Sequence, residues 1–120
     1  APDMRMHAAE PTGAGDAFES LHRGVRVTDI EPDTICDGLR GVIGSINLAM
    51  LEKHASEVLL VDDCDTIFAM RLILERLKLV VEPTAAIALA AILAHRQRFA
   101  GRRIGVILSG GNVDLDALPW

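Results

Sequence analysis

Ile104-Gly105-Val106-Ile107-Leu108-Ser109-Gly110-Gly111-Asn112-Val113-Asp114 is an aliphatic run that breaks into a hydroxyl and two adjacent glycines. Ile104–Leu108 has the apolar content of a buried strand. A strand ending in Ser-Gly-Gly sets a hydroxyl and free backbone N–H groups at the carboxyl edge of a sheet, where ligands of α/β proteins bind. Paired glycines let the backbone come close to a flat or anionic ligand. The same residues also suit a plain strand-to-helix turn, and on the pattern alone both readings stand.

The segments upstream decide what kind of sheet this strand belongs to. Ala85–Ala94 is apolar on nearly every side and predicts a buried helix, with Pro83 tolerated in its first turn and Gly101 as its stop. Ile67, Met70, Leu74 and Leu77 form one helical stripe, capped by Asp63 or Asp65. Val58–Val61 is a fully apolar strand, preceded by a helix that Ser45 can cap and that runs to about His54. Residues 25–40 are turn-rich and read as a surface loop, residues 14–23 as a helix closed by Gly24, and Met4–Ala9 as a short strand. Strands alternating with helices predict an α/β fold: three layers, with a mostly parallel sheet and helices on both faces, in one domain over residues 1–120. Three strands are few for an open parallel sheet, so the segment is expected to complete a larger one. The absence of a start methionine points the same way.

Composition narrows the function classes. Half of the 120 residues are hydrophobic, with three Phe, one Trp and no Tyr. That argues against base-stacking surfaces for single-stranded nucleic acid. The net charge is −5, and the largest basic group (Arg96, Arg98, Arg102, Arg103) suits a helix end better than a nucleic-acid footprint. No nucleic-acid partner is expected. No apolar run approaches the ~20 residues of a membrane span, and Ala1-Pro2-Asp3 does not open a signal peptide. Cys36 and Cys64 lack metal-ligand or disulfide spacing, which fits reduced thiols in a cytoplasmic protein. Cys36 reads as a small core residue, and His7, His22, His54 and His95 as surface or half-buried side chains.

Three further segments could carry chemistry. In Glu10-Pro11-Thr12-Gly13-Ala14-Gly15-Asp16, two carboxylates flank small residues, a loop able to offer oxygens to a hard cation or simply to cap a helix. In Val81-Glu82-Pro83-Thr84, a carboxylate before a buried helix must be hydrogen-bonded, and capping that helix is one way. Thr34-Ile35-Cys36-Asp37-Gly38-Leu39 alone says only that the chain turns.

In this order the four segments resemble the C-terminal half of the serine racemase and threonine dehydratase family, and the Leu118-Pro119-Trp120 ending is similar too. The resemblance implies the large domain of a fold type II pyridoxal-phosphate enzyme. It implies that Ser109 hydrogen-bonds the pyridine nitrogen, that Gly110 lets the ring lie close, that Gly38 sets its backbone beside the cofactor, and that Glu82 lies near the same pocket. A neutral hydroxyl at the nitrogen suits β-elimination or proton exchange. The resemblance also implies a divalent cation (Mg²⁺, Mn²⁺ or Ca²⁺) on the side chains of Glu10 and Asp16 and the carbonyl of Ala14. Cys36 stands where alanine is usual in the family, and Gly15 where many relatives have aspartate.

The implied reaction is the dehydration and deamination of serine or threonine to a 2-oxo acid and ammonia, with serine racemisation sharing the α-proton step. The family's Schiff-base lysine and phosphate-cradling loop lie upstream of the matching region. Lys53 and Lys78 are the only lysines, and neither matches a catalytic position, so no catalytic residue is expected in this chain. The expected partners are an amino-acid substrate, the N-terminal half of the enzyme and a second subunit. A non-catalytic remnant, binding a ligand or another subunit, is the alternative expectation.

Overall fold

The computed structural model describes residues 4–120, and the reading of Ala1-Pro2-Asp3 lies outside them. Strands β1 (Met6–Pro11) and β2 (Ala55–Val61) pair in parallel, with Ala8 opposite Val58 and Pro11 opposite Val61. Helix α1 (Asp16–Arg23) follows β1 through a 3₁₀ turn, Thr12–Ala14. Helix α2 (Ser45–His54) leads into β2, and α3 (Asp63–Leu77) leaves it. Helix α4 (Pro83–Ala94) and the short α5 (Arg96–Phe99) complete the set.

Alternation along β2 sorts the layers. Leu59 and Val61 join Cys36, Ala69 of α3 and Ile87, Ala90 and Ala91 of α4 in one buried cluster. Leu60, between them, lies against the Gly15 turn at the head of α1. Helices α1 and α2 touch β2 as well as each other. The architecture is therefore α/β, a parallel sheet between helices. Alanines make the α3–α4 layer close: Ala85 and Ala86 are buried against Met70, Ile73 and Val81 in a second cluster. With such short side chains on α4, no space is lost between helix axes.

Four expectations need correcting. Ile104–Leu108 has no ladder partner among the described residues and is not a third strand; Ile107 is 82% exposed. An apolar run supplies the side chains a buried strand needs, but not the neighbouring N–H and C=O groups that make it one. Helix α4 ends at Ala94, not at Gly101, which turns the chain after α5 at φ 71°. The residue before α3 is Asp62, and Asp63 commits its carboxylate to another segment rather than to a cap. Helix α2 is preceded by Gly44, with Ser45 its first residue. Gly24 does close α1 in the left-handed conformation, at φ 65°.

Candidate active site

The start of α4 gathers two of the sequence motifs. Glu82 precedes the helix in extended conformation (φ −78°, ψ 160°), and its carbonyl receives the N–H groups of Ala85 and Ala86. Its carboxylate does not cap. It accepts instead from the Asn112 N–H at 2.8 Å, while the Glu82 N–H donates to the Gly110 carbonyl at 3.2 Å. Thr84, two residues further, accepts from the Gly38 N–H at 3.1 Å and donates to Asp37 Oδ1 at 3.3 Å. The Gly38 loop and the Ser109–Asn112 turn thus meet at one helix N-terminus, the positive end of its dipole. Ser109 itself is exposed.

Both glycines sit tight against neighbouring side chains. A Cβ on Gly110 would stand 2.7 Å from the Glu82 carboxylate, and one on Gly38 would stand 2.9 Å from Thr84 Cγ2. Asp63 was missed by sequence reasoning. From the first turn of α3 it accepts from Thr34 Oγ1 at 2.6 Å and from the Ile35 N–H at 2.9 Å. It anchors the turn that carries Gly38. Thr84 and Asp37 were missed as a linked pair. A threonine three residues after a valine and an Asp-Gly step 46 residues away give no joint signal in one dimension.

The second motif forms a separate centre. Glu10, at the end of β1, is 8% exposed, and Asp16, the first residue of α1, is 1% exposed. Glu10 accepts from the Ala17 and Phe18 N–H groups at 3.0 and 2.8 Å. Asp16 Oδ2 accepts from the Ile43 N–H at 2.7 Å. Burial pushes the Glu10 carboxyl above its ordinary value; the Asp16 charge adds to this, and the two amides pull the other way. Ala14, on the 3₁₀ turn between them, is buried. Two interior carboxylates near a buried turn are the kind of hard oxygen donors that a hard cation takes.

The remaining candidates fall outside both centres. Cys36 is fully buried, and that burial pushes its thiol up to about 11, so it is a core residue as expected. Cys64 is exposed, and both cysteines are free. Lys53 is exposed on α2, and Lys78 Nζ donates to the Glu75 carbonyl at 2.8 Å where α3 ends. His7 sits edge-on to Phe99, and His22 stacks on Phe18. Among the described residues no helix is long and apolar enough to cross a membrane.

The sequence and fold match a known group of proteins over most of the chain. The family model described as "Pyridoxal-phosphate dependent enzyme" matches residues 1–110. The chain belongs to the pyridoxal-phosphate-dependent enzyme family. It is similar to a beta-hydroxyaspartate dehydratase of Paracoccus denitrificans, with 43% identity over all of this chain and 38% of that protein. A serine racemase of Dictyostelium discoideum is 39% identical over 98% of this chain and 37% of its own length. Among solved structures, maize serine racemase superposes with a TM-score of 0.89 at 40% identity, over 95% of this chain and 36% of that one. The T.th. threonine deaminase superposes with a TM-score of 0.89 at 35% identity, over 95% of this chain and 42% of that one. These family members share the fold type II architecture, and this chain spans little more than a third of the length of the curated relatives named.

Proposed function

We propose that these residues form one wall of the cofactor site of a pyridoxal-phosphate lyase or racemase acting on serine, threonine or hydroxyaspartate. The observation that carries the reading is the convergence of Gly38, Glu82 and the Ser109–Asn112 turn at the head of α4. The donor set fits the group: an exposed neutral hydroxyl on a glycine-backed turn beside a helix start. Ser109 would hold the pyridine nitrogen without forcing a proton onto it, while Gly110, Gly38 and Glu82 line the same pocket. The cofactor, when bound, supplies a sink for negative charge at the substrate α-carbon. Glu10, Asp16 and the Ala14 carbonyl would hold Mg²⁺, Mn²⁺ or Ca²⁺ as a structural ion. The Schiff-base lysine belongs to residues outside this chain, since Lys53 and Lys78 lie elsewhere, and these 120 residues alone do not catalyse. A homodimer in a cytoplasmic setting completes the reading, and the two free cysteines are consistent with the latter.

The test is reconstitution of the complete polypeptide with pyridoxal phosphate, followed by assay of 2-oxo acid and ammonia release from L-serine, L-threonine and hydroxyaspartate. Uptake with a characteristic absorbance and product release is expected, with Ser109→Ala weakening uptake about tenfold, the loss of one hydrogen bond. Failure of uptake overturns the reading in favour of a non-catalytic ligand-binding or subunit-interaction module.

A further inference from the structure

We propose that Glu82 is a positioning residue whose carboxylate latches the Ser109–Asn112 turn and so fixes where the Ser109 hydroxyl stands. The proposal deepens the cofactor reading above and rests on it for its functional consequence, though not for its geometry.

The latch is read from both sides of Glu82. Its N–H donates to the Gly110 carbonyl at 3.2 Å, and its Oε2 accepts from the Asn112 N–H at 2.8 Å, so one residue brackets Gly110-Gly111. The carboxylate lies flat against Gly110: a Cβ there would meet Glu82 Cδ, Oε1 and Oε2, all at 2.7 Å. The next residue presses on the chain that leads into Glu82, since a Cβ on Gly111 would stand 2.8 Å from the Val80 carbonyl. Between Arg102 and Asp114 the chain forms neither helix nor strand, so regular backbone pairing does not hold the turn. Its apolar support comes from Leu108 and Val113, which pack on the α3–α4 cluster and leave the intervening polar residues to be aligned.

The carrier of the latch is rigid. Pro83 occupies the first turn of α4, and the buried face of Ala85, Ala86, Ile87, Ala90 and Ala91 holds that helix in the core. A side chain preceding a helix ordinarily turns back to accept from the helix's own first amides. Glu82 makes no such side-chain cap; its carbonyl accepts the first intrahelical bonds, and its carboxylate holds a segment 30 residues away.

The rival account is that Glu82 acts on the cofactor directly through its charge. Glutamine separates the two, because it keeps an acceptor for Asn112 and loses the charge. The experiment compares Glu82→Ala and Glu82→Gln with the parent, in the complete polypeptide. Thermal unfolding serves as the folding control; the readouts are hydrogen exchange at the Asn112 amide and the affinity and absorbance of bound pyridoxal phosphate. Glu82→Ala is expected to speed Asn112 exchange about tenfold and to weaken the cofactor by a similar factor, with its absorbance shifted. Glu82→Gln is expected to recover both to within about threefold. Unchanged Asn112 exchange in Glu82→Ala overturns the latch, and so does a Gln variant as impaired as Ala. If Glu82→Ala does not fold, Gly110→Ala asks the same question from the other side by pushing the carboxylate away, and normal Asn112 exchange there overturns the proposal. If the parent takes up no pyridoxal phosphate, the cofactor reading fails while exchange at Asn112 still decides the latch.

Discussion

Glu10 and Glu82 both use a carboxylate to hold main-chain N–H groups, in opposite settings. Glu10 is 8% exposed and takes its two donors from the start of the very next helix. Glu82 is only half-buried and reaches 30 residues along the chain for its one donor. The first arrangement buries a carboxylate at a net cost to its charged form, which local amides offset only in part, in the company of a second buried carboxylate. The second stays open and converts the rigidity of a helix into the position of a loop. The interior centre should therefore dominate stability, and the open one should dominate ligand binding.

The largest expected effect tests the first half of that contrast. Glu10→Ala strips two amides at the head of α1 of their acceptor and should cost about 3 kcal/mol in denaturant unfolding. The pH dependence carries a sign. With its folded pKa raised above 4.5, Glu10 keeps its proton to higher pH in the folded chain than in the unfolded one. Its contribution then falls as pH rises through the interval between 4.5 and the raised value, and Glu10→Gln should remove that slope. An unaltered slope in the Gln variant would assign the dependence to other groups.

A cation would reverse that balance. Mg²⁺, Mn²⁺ or Ca²⁺ at about a hundred times its dissociation constant should stabilise the fold by about 2.7 kcal/mol, and Asp16→Ala should abolish the effect. Because the ion competes with the Glu10 proton, its stabilisation should grow as pH rises through the same interval. Equal stabilisation of Asp16→Ala and the parent would remove the ion from the interior centre and leave its like charges held by amides alone.

The two centres also differ in how much of them could be read from the sequence. Glu10, Ala14 and Asp16 are close in sequence, on the passage of the chain from β1 through the 3₁₀ turn into α1. Spacing is enough to pick out the two carboxylates, while the part given to Ala14 came only from the resemblance. The second centre joins residues 37–38, 82–84 and 109–112, and only the resemblance to a family linked them beforehand. The resemblance assigned these glycines to the ligand; the structure adds that they also stand close against Glu82 and Thr84. Asp63 looked like a helix cap because it sits in the first turn of α3; its real partners are 28 and 29 residues distant. The helices were legible because periodicity and Gly24 report on neighbours in sequence. Ile104–Leu108 was misread because pairing depends on residues that periodicity does not describe.

Thr84→Val gives the smallest effect and the sharpest test of the open centre. Valine keeps the shape and removes both the acceptor for the Gly38 N–H and the donor to Asp37 Oδ1. The Gly38 N–H retains Asp37 Oδ1 at 2.9 Å, so no donor is orphaned and the cost should be about 1 kcal/mol or less. Cofactor affinity should suffer more than stability does, since the loop is freed on the ligand side while Asp63 still anchors its root at Thr34 and Ile35. A stability loss matching that of Glu10→Ala would erase the distinction, because it would make the open centre as much a part of the core as the buried one. A small loss of stability with a several-fold loss of pyridoxal phosphate would place the division of labour at the boundary between β1–α1 and the head of α4.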